Sequence, residues 1–505
     1  MSVDGRTPCI VGVARRTWHP DEVEAAGAPE PLDMWEEVAR AAADDAGAPG
    51  LLRALDSVQV VYCETWQYDD PPGRLAERLG VAPRHRHSSG IGGTTTQQLV
   101  DSTGAAMLAG DLDLALIVSG EALATKRAFK KRGERVPYSH GATERRPYPW
   151  EAPPHPVEIA HDVFQAWLTF ALFDNARRAR RGDDLDGYRR DAGTMLAALT
   201  EVAAANPAAW FRVARTAEEI VEVRPDNRMV GYPYTKYMVA IMDVDMAAGL
   251  VVATHERADA LGVPLEQRVY LRGCGYATDP FCVAEHEALW ESPAMAAAAS
   301  EALAGAGASI DDVAHLDLYS CFASSLHFAR DALGLRGDDS RPLTVTGGLP
   351  YHGGPGSGYL THSIATMVDV LRRDPGSLGL VSGVGMHMTK HVFGVYASAP
   401  GPFRPPDDDA LRERLATHRA KVVTPEHEGA ATVAAYSVVH ARSGEPEWAL
   451  LVCDLPDGTR TYAKAFDAAL LGAAERTELV GSTLRLVPRT GETAMGEARV
   501  NVVEA

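Results

Sequence analysis

The sequence predicts an α/β protein of two similar βαβ-type halves, with an insertion in the first half and a small antiparallel β-barrel at the end. Three observations predict this. Short apolar runs alternate with helical patterns that stop at glycine, which is the signature of buried sheet with helical crossovers. The same order recurs at a spacing of about 260 residues, too long for a solenoid and suited to a duplicated half. Past an acidic, proline-rich stretch, the pattern changes to short strands separated by Gly, Pro and Asp turns.

In the first half, Cys9–Ala14 reads as a buried strand ended by Arg15 and Arg16. Leu32–Ala46 carries apolar residues at helical spacing and stops at Gly47. Val58–Cys63 is a strand, Thr94–Ala109 a helix closed by Gly110, and Leu114–Ser119 a strand before Gly120. The order then repeats. Val269–Gly273 is a strand, Pro293–Ala304 a helix ended by Gly305 and Gly307, and Leu316–Ser320 a strand. Tyr359–Leu371 is a helix and Leu378–Ser382 a strand before Gly383. The strands predict parallel, mostly buried sheet. Between the halves, about 121–262, lie a basic patch (Lys126, Arg127, Lys130, Lys131, Arg132, Arg135), an aromatic and proline-rich stretch Tyr148–Pro156, and helices within Ile159–Arg180. A basic patch is ordinarily a solvated face, and on an acidic chain it also suits a phosphorylated ligand. Ala399–Asp409 is the clearest linker. Beyond it Thr432–Val439, Trp448–Asp454, Arg460–Ala465, Thr483–Val487 and Arg499–Val503 read as strands. The division expected is a first half over 1–268 containing the insertion, a second half over 269–398, a linker over 399–420, and a barrel over 421–505.

Composition narrows the function. The 505 residues hold 49 Lys and Arg against 68 Asp and Glu, a net charge of −19, so a general nucleic-acid binder is excluded. Six cysteines without a Cys-x-x-Cys pair fit neither a disulfide framework nor a zinc ribbon. The N-terminus lacks the order of a signal peptide and no apolar run is long enough to span a bilayer, so a cytoplasmic protein without a membrane span is expected.

The duplicated halves, the run Val100–Gly120 and the segment Met238–His255 together resemble the thiolase superfamily, most closely thiolase-like proteins of the sterol-carrier-protein type, often labelled acetyl-CoA acetyltransferases. The resemblance spans about residues 8–398. It implies two halves layered α-β-α-β-α, with the insertion as the loop domain that covers an acyl-CoA. The terminal module resembles the OB-type barrel that accompanies some of these proteins. Thiolases generally dimerise by pairing first-half strands, so the resemblance also admits a homodimer.

Thiolase chemistry needs a cysteine nucleophile at a buried helix N-terminus, an acid/base cysteine, a Gly-His-Pro histidine and oxyanion-binding N–H groups. Aligned on Gly110, the nucleophile position falls in Gly92-Gly93-Thr94-Thr95-Thr96 and is occupied by Gly93. The His-Asp-Cys-Phe motif reads Tyr319-Ser320-Cys321-Phe322: Cys321 is either the acid/base thiol or a buried small hydrophobe, and Tyr319 replaces the histidine. In Gly347–Gly356, Gly354 stands at the Gly-His-Pro histidine position, with Tyr351 and His352 just before it. The final motif is Ser382–Met388, without cysteine. His387 and His391 lack a nearby acidic ligand in sequence, and no metal is expected.

With the nucleophile absent, ordinary thiolysis is not expected, and the first reading is an acyl-CoA-binding thiolase-like pseudoenzyme of lipid metabolism. Two alternatives stay open: a lyase performing retro-aldol cleavage of a 3-hydroxyacyl-CoA with Tyr319, Tyr351 and His352, or an acyltransferase using Cys321 unconventionally. All three share a coenzyme A thioester as ligand or substrate, with Lys130, Lys131 and Arg132 as candidate CoA-binding residues, and no tightly bound cofactor.

Overall fold

The computed structural model describes residues 3–23, 27–144, 146–401 and 403–504; Pro402 of the predicted linker lies outside them. The first half runs β1 (Pro8–Thr17), α1 (Pro31–Asp45), β2 (Ser57–Val60), α2 (Pro71–Leu79), β3 (His85–Ser88), α3 (Thr95–Ala109) and β4 (Leu114–Ala122). The insertion supplies α4 (Leu123–Lys131), α5 (Pro156–Ala160), α6 (Ala166–Arg181), α7 (Leu185–Ala205), α8 (Ala217–Val221) and the short strands β5 (Met229–Gly231) and β6 (Tyr234–Thr235). The chain returns through β7 (Asp245–Thr254) and α9 (His255–Ala260). The second half is β8 (Val269–Thr278), α10 (Pro293–Ala306), β9 (Val313–Asp317), α11 (Ala323–Leu333), α12 (Tyr359–Arg373), β10 (Leu378–Gly385) and β11 (Lys390–Ala397).

Nine strands form one hydrogen-bonded sheet in the order β3-β2-β4-β7-β1-β8-β11-β10-β9. The halves meet at its centre, where β1 and β8 pair antiparallel through Cys9–Tyr270 and Ile10–Val269. Outward from that seam the first half reads β1-β7-β4-β2-β3 and the second β8-β11-β10-β9, so one strand order is built twice. The sheet is mixed, whereas the sequence pattern predicts a parallel one. Strands β3-β2-β4 and β9-β10 are parallel, while β7 and β11 run antiparallel to their neighbours. For β11 the reason is connectivity: the turn 386–389 between β10 and β11 is far too short for a crossover helix.

The two halves also share a packing device. A Cβ on Gly12 of β1 would lie 2.0 Å from the carbonyl oxygen of Ala42 on α1, and one on Gly273 of β8 would lie 2.0 Å from that of Ala302 on α10. Each outer helix therefore rests its backbone directly on its strand, and only glycine permits that approach. Helices α3 and α12 are the inner pair, α12 packing on β7, β10 and β1. They touch through Thr96 Oγ1 and Thr361 Oγ1, 2.9 Å apart, so the N-terminal turns of both sit deep in the molecule.

The predicted linker holds a helix, α13 (Asp408–Leu415), whose acidic first turn hides its amphipathic side; Leu411 is buried and α13 packs on α10. The last strands are β12 (Gly429–His440), β13 (Pro446–Asp454), β14 (Arg460–Ala465), β15 (Thr483–Thr493) and β16 (Gly496–Val503), with α14 (Ala468–Ala474) between β14 and β15. Their pairings close a ring, β12-β13-β14-β16-β15-β12, in which only the β14–β16 step, Lys464 with Val502, is parallel. The ring is fixed to the insertion: β5 pairs with β12, and the Asn175 side chain on α6 donates to the Tyr436 carbonyl at 2.7 Å. Among the scattered barrel aromatics, Tyr436 and Tyr462 are buried at these contacts while Phe466 is exposed.

Candidate active site at the head of the inner helices

The site starts from a turn that only glycine can make. Gly92 has φ +131°, its N–H donates to Ser357 Oγ at 3.0 Å, and its carbonyl accepts from Thr95 N at 3.3 Å as α3 begins. No side chain caps α3 at Thr94, so its first amides point into this region.

Gly93 follows, and its space is filled. A Cβ there would lie 2.2 Å from the Tyr319 hydroxyl and 2.3 Å from the Val384 carbonyl oxygen. The Tyr319 phenol thus stands where a side chain at position 93 would project. Its backbone N–H donates to Ser382 Oγ at 2.9 Å, which locks its segment to β10, and burial pushes its hydroxyl far above the usual tyrosine range. Gly383 packs against the Gly93 carbonyl, and Ser320 Oγ accepts from Leu349 N at 3.0 Å. All four motifs singled out in the sequence therefore meet here.

They do not meet evenly. The Tyr319 ring packs edge-on against Tyr359 at 5.5 Å, and His352 lies on Tyr359 at 6.2 Å and on His362 at 5.5 Å. The Tyr359 hydroxyl is taken up by Asp317 Oδ2 and Thr346 Oγ1, so it carries no proton path from Tyr319 to His352. His352 is fully buried; its Nδ1 meets only the Asn206 side-chain amide at 3.4 Å, and Nε2 has no partner among the described residues. Burial, with the nearby Arg15 charge, pushes its pKa down to about 3, so it is a neutral imidazole. The Tyr351 hydroxyl is likewise buried without a partner, and the Tyr351 and His352 carbonyls hold Phe211 N and Trp210 N. Gly354 N donates to the Ile241 carbonyl at 2.8 Å.

Cys321 is buried, its thiol 3.6 Å from Ser325 Oγ, and burial pushes its pKa up to about 12. A thiol so protonated at neutral pH behaves as a small hydrophobe. Lys130, Lys131 and Arg132 are exposed at the C-terminal end of α4, with Arg132 stacked on Phe129 and paired to Glu134. His391 Nε2 sits 3.1 Å from both Asp279 Oδ2 and Ser292 Oγ, and no cluster of His, Cys, Asp and Glu suited to a metal ion occurs among the described residues.

Two site residues escape the sequence reading. Lys390, buried at the start of β11, places Nζ 2.5 Å from Glu151 Oε1 and 3.4 Å from the Ile91 carbonyl, beside Gly92. Glu151 belongs to the aromatic, proline-rich stretch and also accepts from the Tyr276 hydroxyl at 3.0 Å, so that stretch is strapped across the glycine turn. A lysine opening a strand carries no sequence signal of its own.

Comparison with known proteins gives this arrangement its place. The fold is that of thiolases: the human mitochondrial 3-ketoacyl-CoA thiolase superposes with a TM-score of 0.56 over 78% of this chain and 99% of its own, at 15% identity. The Ltp2-ChsH2(DUF35) aldolase does so with 0.57 over 78% and 98%, at 17% identity. A monomeric SCP2-thiolase like protein type 1 from Mycobacterium smegmatis matches over all of both chains with a TM-score of 0.85 and 30% identity. Residues 410–491 match the family model described as the thiolase-like protein type 1 additional C-terminal domain. No curated protein matches the chain. The chain accordingly belongs to the SCP2-thiolase-like protein type 1 family of the thiolase superfamily. No helix among the described residues is long and apolar enough to cross a membrane.

Proposed function

We propose that this protein binds an acyl-CoA thioester at the head of α3 and does not form an S-acyl enzyme there. One observation carries the reading: the Tyr319 hydroxyl fills the space that a nucleophile on residue 93 needs. With Cys321 held protonated, no thiolate stands ready to replace it. The amides opening α3 keep their value as donors to a thioester carbonyl. The exposed Lys130, Lys131 and Arg132 suit the CoA phosphates. A homodimer formed through the thiolase part would pair across the β3 edge, which is exposed and bears His85, Arg86 and His87.

The test offers acetoacetyl-CoA with free CoA, and separately measures binding of the thioester. Saturable binding without turnover above background is expected. Replacing Lys130, Lys131 and Arg132 with alanine should weaken binding and flatten its salt dependence. Robust thiolysis that survives Cys321→Ser would overturn the reading, and thiolysis lost on that change would make Cys321 the nucleophile.

The lyase reading is favoured by one feature, the phenol of Tyr319 at the α3 terminus, and by the likeness of the fold to an aldolase. His352 faces His362 rather than Tyr319, and the Tyr319 phenol is held protonated. In a cleavage reaction Tyr319 and the α3 amides would therefore donate to the thioester enolate oxygen, and water would take the 3-hydroxyl proton. Aldehyde or ketone release from a branched 3-hydroxyacyl-CoA, lost at least about a hundredfold in Tyr319→Phe, would establish it.

A further inference from the structure

A cavity of about 250 Å³ opens beside this site without sharing Gly93 or Tyr319. It lies past the carboxyl ends of the parallel strands β2 and β3, the position where α/β sheets leave a crevice for ligands. Three aromatic residues, Tyr62, Trp66 and Tyr68, line it together with Pro147 and Pro149 of the strap. Arg146, an exposed residue, is among those lining it; its backbone N–H donates to Gln67 Oε1 and one Nη to the Asp69 carbonyl, so its position is fixed at the cavity. Ser88, which is exposed, and Ser89, which is buried, also line it, and the chain runs from them directly into Gly90–Gly93.

We propose that this cavity binds a single-ring aromatic acyl group, its ring against the tyrosine, tryptophan and proline surfaces and its carboxyl or carbonyl oxygen toward Arg146. Flat walls of this kind select a ring over a flexible chain, which would lose more rotational freedom on entering. The volume sits just below the usual range for ligand pockets, which excludes polycyclic groups and long acyl tails. A guanidinium among mainly apolar lining residues, with Gln67, Ser88 and Ser89 the other polar ones, suits an anionic or carbonyl oxygen. The same ring arrives either as a free acid or as its CoA thioester. The inference does not depend on the thioester site at α3, because a free acid would occupy the cavity alone.

The experiment titrates the full-length protein with phenylacetate, phenylacetyl-CoA and hexanoate by calorimetry and tryptophan fluorescence. Phenylacetate should bind saturably and at least about tenfold more tightly than hexanoate. Tyr62→Ala should weaken it about tenfold, and Arg146→Gln should weaken it and remove its salt dependence. Should Tyr62→Ala fail to fold, Ser88→Trp, an exposed wall position, should abolish binding by filling the cavity. Phenylacetyl-CoA that displaces phenylacetate identifies the thioester as a source, and displacement by free acids alone identifies the acid. No saturable binding of either ring compound, equal binding of hexanoate, or unchanged affinity in folded Tyr62→Ala and Ser88→Trp would overturn the proposal.

Discussion

At the scale of single residues, Gly93 and Tyr319 are packed as one unit: the Tyr319 hydroxyl occupies space that a side chain on residue 93 would need. Gly93→Ala places a methyl against the Tyr319 ring and the Val384 carbonyl and should cost about 1–3 kcal/mol by overpacking. Tyr319→Leu should remove the part of that penalty owed to the ring and keep the part owed to the Val384 carbonyl, leaving a coupling energy in a double-mutant cycle read by denaturant unfolding. Additive costs would show that the two positions are independent. That residues 92–96 hold no cysteine was legible in the sequence, but the packing of Tyr319 against Gly93 was not, because the two lie more than two hundred residues apart. His352 was visible as a candidate only by its offset from Gly354, and offset does not give direction. The imidazole turns toward His362 and Arg15, and that sets a pH dependence. Its folded pKa, about 3, lies below the unfolded value near 6.5, and His362 is lowered for the same reason. The unfolded chain therefore binds more protons, and this contribution is intact above about pH 6.5 and lost as pH falls from there toward 3. Each such group should remove up to about 1.4 kcal/mol per pH unit in that window. Thermal melts between pH 7 and 5 should steepen accordingly, and His352→Gln should reduce the slope; an unchanged slope would refute the assignment.

At the scale of elements, the strap across the glycine turn is the part whose stability bears on access. It carries Pro147, Pro149, Pro153 and Pro154, and its described residues form no helix or strand between α4 and α5, so a few side chains hold it. The buried Lys390 ammonium against Glu151 is the innermost of them, and the Tyr148 hydroxyl on Glu64 Oε1 at 2.8 Å is another. Removing the carboxylate charge leaves a buried ammonium without its counter-ion, which is far less favourable than the intact pair. Glu151→Gln should therefore loosen the strap, read as faster proteolysis within 141–155 while the rest of the chain resists. Cleavage at the parent's rate would show that the tyrosine and proline contacts hold it without the pair. Which elements were legible follows from their surroundings. Helices α1, α3, α10 and α12 are long and end at or near a glycine or charged last turn, so period and stop agree. Strand β11 was missed: Lys390 and His391 open it with polar side chains, Gly394 interrupts it, and it is buried on both faces, so no alternation marks it. Helix α13 was hidden because its acidic N-terminus continues the composition of the linker before it.

At the scale of the molecule, the question is whether the C-terminal ring is an appendage or part of one folding unit. An appendage would show a polar, lightly packed contact with the remainder. Here the ring shares strand pairing with the insertion through β5 and β12, and Tyr462 OH meets Glu158 Oε1 at 2.9 Å while accepting from Ala284 N. Arg178 on α6 is the centre of the contact, 1% exposed, with Nη2 at 3.0 Å from both Glu478 and the Tyr436 hydroxyl. An arginine so buried is stable only while those partners stay in place, so opening the contact exposes the cost of every unpaired group at once. Calorimetry should accordingly give one cooperative transition for the whole chain. Arg178→Ala should lower stability by about 3 kcal/mol, the low end for breaking a buried pair because Glu478 keeps access to solvent. The same change should split the transition, with the ring and its helix α14 melting first. A variant that melts as sharply and as high as the parent would show that the ring is held by apolar packing around Tyr436 and Tyr462, with the charge pair incidental.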